Sequence, residues 1–188
     1  MSAVRFTRKR LLLGMAATAV GALGVRTAAA SALSYPEGAP GQRLRFQSLA
    51  EALTEVKARA SSPTLRTSGA WNWAQILEHC AQSIEYSLTG YPENKSAVIR
   101  RTVGPLVHAH FAHQGYMKHA LTAAIPGAPP LALPGAPELA LARLEKAISD
   151  FQARTEPLAP HFVYGELSKP EYDRVQAMHL ANHLSEVS

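Results

Sequence analysis

Cysteine is almost missing from this chain. Cys80 is the one thiol in 188 residues, so no internal disulfide can staple the fold and stability must come from a packed core. Cys80 itself stands inside an apolar helical pattern and reads as a small buried hydrophobe. Charged residues are also scarce, at 18%, and their placement matters more than their number. The formal net charge is +5, but five of the nineteen basic residues (Arg5, Arg8, Lys9, Arg10 and Arg26) fall in the first thirty positions, which contain no acid. The rest of the chain carries fourteen basic and fourteen acidic residues. A neutral domain offers no basic patch for DNA or RNA, so nucleic-acid binding is excluded as an expectation. No stretch alternates polar and apolar residues for long enough to make a strand, and no repeat period stands out. What remains is 47% hydrophobic, enough for one compact domain with a real core.

Long apolar runs are missing too. The apolar run from Leu11 to Val25 is short and rich in Gly and Ala, which argues against a membrane span. It follows the basic cluster Arg5–Arg10 and precedes Ala28-Ala29-Ala30, the order of an export signal with a small-residue cleavage site. Residues 1–30 therefore read as a signal peptide. The mature protein is expected in the periplasm, with no stable membrane association once the signal is cleaved. Thr7-Arg8-Lys9-Arg10-Leu11-Leu12 resembles the twin-arginine signal, with Lys9 where the second arginine of the pair usually stands. The general secretory route and an uncleaved anchor are the alternatives; no cysteine follows the run, which excludes lipidation there. Residues 31–46, with Pro36, Gly38, Pro40 and Gly41, have the composition of an extended lead-in, and residues 47–188 form the expected domain.

That domain reads as a series of helices. Ser48-Leu49-Ala50-Glu51 is a capping box that opens a helix reaching about Ala60, with Leu49, Ala52, Leu53 and Val56 at helical spacing. Asn72 and Gln75 can close a second box, on a helix running to about Leu88. Its apolar stripe is Trp73, Leu77, Cys80, Ile84 and Leu88. Beside it runs a polar seam of Asn72, Gln75, His79, Ser83 and Tyr86 with no charged residue. Such a seam is either a solvent face or the wall of a polar cleft. Residues 90–135 form a long connection in which Gly104-Pro105 is expected to start a short helix through about Leu121. That helix would carry His108, His110, His113 and His119, no three of which converge on an ideal helix, so the group reads as mostly structural or solvent-facing. The proline-rich stretch 126–137 can be neither helix nor central strand. A further helix is expected from about Glu138 to Thr155.

The last helix, Ser168 to about Val187, is the most clearly written. Ser168 and Glu171 form a capping box, and Pro170 sits in the first turn, where its missing N–H costs nothing. His179 and His183 lie four residues apart and so share one face. Two imidazoles so placed can bind one metal ion if a third ligand arrives from another helix; two unrelated histidines are the plain alternative. His79, at the centre of the polar seam, is the candidate third ligand. The roles of His108, His110, His113, His119 and His161 are left open. The sum is an all-α bundle.

Several of these residues carry a resemblance. Trp71, Gln75 and His79 make a Trp-x-x-x-Gln-x-x-x-His motif. The closing segment contains His161-Phe162, Tyr164-Gly165, Leu167-Ser168, Glu171, His179-Leu180 and His183-Leu184. Together with Phe46, Ser48, Leu49 and Ser87–Pro92, they resemble an uncharacterised branch of the DinB-like (YfiT-like) metal-binding bundles, from about Leu44 to the C-terminus. The resemblance implies a four-helix bundle with a long crossover between its second and third helices, which can hold an extra short helix. It also implies a divalent metal (zinc, nickel or iron) on His79, His179 and His183. The branch often carries an acid and a further histidine where Ala181 and Asn182 stand. Relatives in the wider superfamily suggest a metal-dependent, thiol-linked transferase, isomerase or hydrolase. A non-catalytic bundle that binds a small ligand or partner is the alternative. The substrate is unknown, no catalytic residue is assigned, and a homodimer is left open.

Overall fold

A computed structural model describes residues 44–131 and 136–188. The expected signal peptide and nearly all of the lead-in lie outside the described residues. Within them the chain is helical: α1 (Leu49–Ala60), α2 (Trp73–Thr89), α3 (Ala97–Arg101), α4 (Val103–Gln114), α5 (Pro137–Ala153) and α6 (Lys169–Leu184). There is no strand among the described residues, only the isolated bridges Thr67–Val187 and His161–Gly165. The fold is all-α, as the sequence pattern indicated. None of the described helices is long and apolar enough to cross a membrane.

The helix starts follow from their caps. The Asn72 carboxamide oxygen accepts the Gln75 amide at 3.0 Å, and Gln75 Oε1 accepts the Asn72 amide at 3.1 Å, which closes the capping box at the head of α2. The Ser48 hydroxyl accepts the Glu51 amide at 3.3 Å. At α6, the Glu171 carboxylate accepts both the Ser168 amide (2.8 Å) and the Ser168 hydroxyl (2.6 Å). Each box satisfies donors that the first helical turn leaves without partners.

Four helices, α1, α2, α5 and α6, surround the main core, which includes Leu49, Val56, Ile76, Leu77, Ile84, Leu144, Ile148, Phe151, Tyr172, Leu180 and Leu184. Cys80 is buried among them, and burial pushes its thiol pKa up, as expected of a small hydrophobe. Each fully buried Leu, Ile or Phe contributes roughly 1.5–3 kcal/mol. Helices α2 and α6 are the inner pair, with burial spread over most of their circumference. Outer contacts hold them in place. Arg143 of α5 makes a two-pronged bond to Glu85 of α2 at 2.9 and 2.7 Å. The Leu49 amide donates to Asp173 of α6 at 2.8 Å. Arg59 of α1 donates to the Leu184 and Val187 carbonyls at the end of α6.

The connection between α2 and α5 holds α3 and α4. Helix α4 lays Val107 and Phe111 on Val175 and Met178 of α6, with Met117 completing a second small core. Gly104 makes this approach possible: a Cβ there would stand 2.0 Å from the Val163 carbonyl oxygen. Helix α4 is shorter than the sequence reading had it. It stops at Gln114 because Gly115 takes the left-handed conformation (φ 73°) that glycine allows at a helix end. His119 is therefore off the helix, in the loop beyond it. Helix α5 starts one residue early, with Pro137 in its first turn, and ends at Ala153.

Candidate metal centre

Helices α2 and α6 bring His79, His179 and His183 together. Each offers a ring nitrogen, and these atoms all lie within 4.8 Å of one another. The Nε2 atoms of His79 and His179 are 3.2 Å apart, and those of His183 and His179 are 3.1 Å apart. The three rings are 2%, 8% and 1% exposed. A tetrahedral ion with metal–nitrogen bonds of about 2.0–2.1 Å needs its nitrogens about 3.3 Å apart. The two near pairs already match that spacing, and the set as a whole lies within 4.8 Å.

Electrostatics favour the ligating form. Burial, with His119 nearby, holds His79 down at about 4. Burial and the neighbouring histidines hold His179 and His183 well below the ordinary imidazole value. All three are neutral at pH 7, so each carries the lone pair that a metal requires. They form a buried set of borderline nitrogen donors that suits zinc, nickel or iron. His79 Nδ1 is buried without a hydrogen-bond partner, so no acceptor orients this ring from behind. Its orientation comes instead from packing against Trp71, whose ring centroid is 4.8 Å away. The same indole stacks on His183 at 5.6 Å and 10°.

The polar seam of α2 faces inward. Beyond His79, the Ser83 hydroxyl donates to Gln176 Oε1 at 3.0 Å, and Gln176 Nε2 donates to the Ser83 carbonyl at 3.0 Å. These bonds tie α2 to α6 one turn beyond the histidines. Gln75, a member of the same seam, is engaged in the cap of α2. Tyr86 packs on Tyr91, with ring centroids 5.8 Å apart.

The other histidines separate into three groups. His110 and His113 are exposed on α4. His108 and His161 meet Tyr164 in a separate cluster. His119 belongs with the candidate centre: its ring centroid lies 5.0 Å from His179 and 5.2 Å from His183. The sequence reading grouped it with the α4 histidines because it carried the helix past Gly115.

Fold and site together define an all-α bundle with a buried histidine cluster that could hold a metal ion. Over residues 39–188 the chain belongs to the family described as "Protein of unknown function (DUF1569)". No curated protein and no solved structure shows significant similarity to it.

Proposed function

We propose that His79, His179 and His183 bind one divalent metal ion through their Nε2 atoms, leaving a coordination position for an external ligand. The observation that carries this reading is the convergence of three neutral, buried Nε2 atoms at 3.1–3.2 Å along the two near pairs. Three histidines plus one exchangeable position is the arrangement of working zinc sites rather than closed structural ones. An ion there supplies Lewis acidity, activating a bound water or binding a thiolate. The function is accordingly a metal-dependent transferase, isomerase or hydrolase acting on a small molecule, the thiol link being suggested by the DinB-like resemblance. The crossover that this resemblance implies would be supplied by residues 90–135. The leader places the protein outside the cytoplasm after cleavage near residue 30, and the intact mass of the exported form tests this.

Elemental analysis of protein purified without chelators or nickel resin tests the centre. One equivalent of metal is expected in the wild type and well under half in His179→Ala and His183→Ala. Metal content unchanged in both variants would sink the proposal.

A second reading keeps the metal but makes it structural, in a bundle that binds a ligand elsewhere. It is favoured by the depth of the cluster and by two surface cavities of about 320 Å³, which lie along Arg100, Arg101 and Glu166 and along Gln152, Lys169 and Asp173. A large fall in melting temperature on chelation, with no turnover of any metal-activated substrate class, supports this second reading.

A further inference from the structure

His119 comes from the crossover loop, while the three candidate ligands come from the inner helices. Its ring lies 5.0 Å from His179, the same distance as His79, and 5.2 Å from His183, where His79 stands at 4.7 Å. Yet His119 is not a member of the set whose nitrogens all lie within 4.8 Å. It flanks the cluster without completing it.

The ring is also held in a defined state. Nδ1 lies 3.0 Å from the Ala120 carbonyl oxygen. A carbonyl only accepts, so Nδ1 carries the proton and, in the neutral ring, Nε2 keeps the lone pair. The loop is tied to α6 by Asn182, whose Nδ2 donates to the His119 carbonyl at 3.4 Å. Asn182 immediately precedes His183, so the loop is anchored to the stretch of helix that carries the candidate ligands. Trp71 packs on His79 and stacks on His183, whereas His119 packs on His179 and His183. Beside the three imidazoles the structure therefore holds a fourth, whose Nδ1 is engaged by backbone and whose Nε2 is left as an acceptor.

Building on the metal reading above, we propose that His119 Nε2 accepts a hydrogen bond from a protic molecule in the metal's external position. The class of ligand is a small metal-binding group that keeps an O–H, N–H or S–H, as opposed to an anion with no proton. His119 is a ligand-binding residue in this scheme and leaves the metal's own coordination to the other three.

The test uses the full mature chain loaded with cobalt(II), read by its visible absorption during titration with acetohydroxamate, which keeps an N–H when bound, and with azide, which has none. In His119→Ala, acetohydroxamate binding is expected to weaken about tenfold, the worth of one hydrogen bond, with azide binding and cobalt stoichiometry unchanged. In His119→Gln, the amide oxygen restores most of the loss. Equal weakening of both probes, or no change in either, overturns the proposal. So does loss of the cobalt equivalent from His119→Ala, because His119 would then be a ligand. A wild-type chain that develops no cobalt band overturns the metal reading itself and this contact with it, an outcome distinct from the others.

Discussion

The molecule buries His161 in one place and His79, His179 and His183 in another, and the two places differ in what the ring nitrogens face. In one, His161 Nδ1 accepts two backbone amides, from Val163 at 3.1 Å and Tyr164 at 3.2 Å, and the ring stacks on Tyr164 at 4.2 Å and 9°. The nitrogen is used up in shaping the turn that Gly165 closes with a positive φ of 80°. In the other, the Nε2 atoms of His79, His179 and His183 face one another. Burial lowers the basicity of both groups, so perturbed pKa values do not distinguish them. The partner of each nitrogen does: His161 Nδ1 is spent accepting backbone amides, whereas the Nε2 atoms of His79, His179 and His183 have one another, an arrangement that could hold a metal ion.

Three substitutions or conditions sharpen this contrast, from the largest effect to the smallest. His161→Ala removes a buried ring and leaves two amides without their acceptor. It is expected to lower stability by about 3 kcal/mol in urea unfolding while leaving metal content intact. Loss of metal in that variant would erase the distinction between the clusters.

Acid should act on both clusters when the protein is metal-free. His79 and His161 are held at about 4 and about 3 in the fold, below the 6.5 of an unfolded chain, so the unfolded state takes up protons first. Their stabilisation is complete above pH 6.5 and declines as the pH falls toward 4 and 3, by up to about 1.4 kcal/mol per pH unit for each ring. Urea midpoints measured between pH 7 and 5 with chelator present should show this slope. His161→Phe should remove one ring's share, and an unchanged slope would mean that His161 does not stay neutral in the fold. Adding zinc should raise the urea midpoint across this range without flattening the slope, since the slope comes from protons taken up by the unfolded chain while a bound metal keeps the folded rings proton-free.

The smallest effect is expected at Trp71. Its indole touches two of the three rings without donating to either, so Trp71→Ala should weaken metal affinity by no more than about tenfold. A competition titration against a chelating dye measures this, and complete loss of metal would show that the indole does more than pack.

Much of this was legible in the residues. The capping boxes at Ser48, Asn72 and Ser168 announced three helix starts because a cap is a local device that needs no tertiary information. His179 and His183 followed from the 3.6-residue repeat, and His79 from a polar seam without charge, a pattern that a solvated face rarely shows. His119 was not found. Periodicity places residues only while the helix lasts, and the reading carried the helix through Gly115, whose φ of 73° ends it. Gly115 was the available signal, since glycine after a helical stretch is its commonest stop. Even so, the path of the loop back to α6 depends on Asn182 and on the packing of Met117, which no local pattern reveals. Asn182 holds the loop that delivers His119.

The 100-residue separation between His79 and His179 has a consequence for how the protein reaches its working state. Their two Nε2 atoms meet only where helices from distant parts of the chain dock, so the site is a long-range feature. A chain made only as far as α5 lacks two of its three histidines. Uptake of an ion by the proposed centre would therefore keep time with the completion of folding, and a metal-sensitive signal followed during refolding would act as a clock on the last step rather than the first.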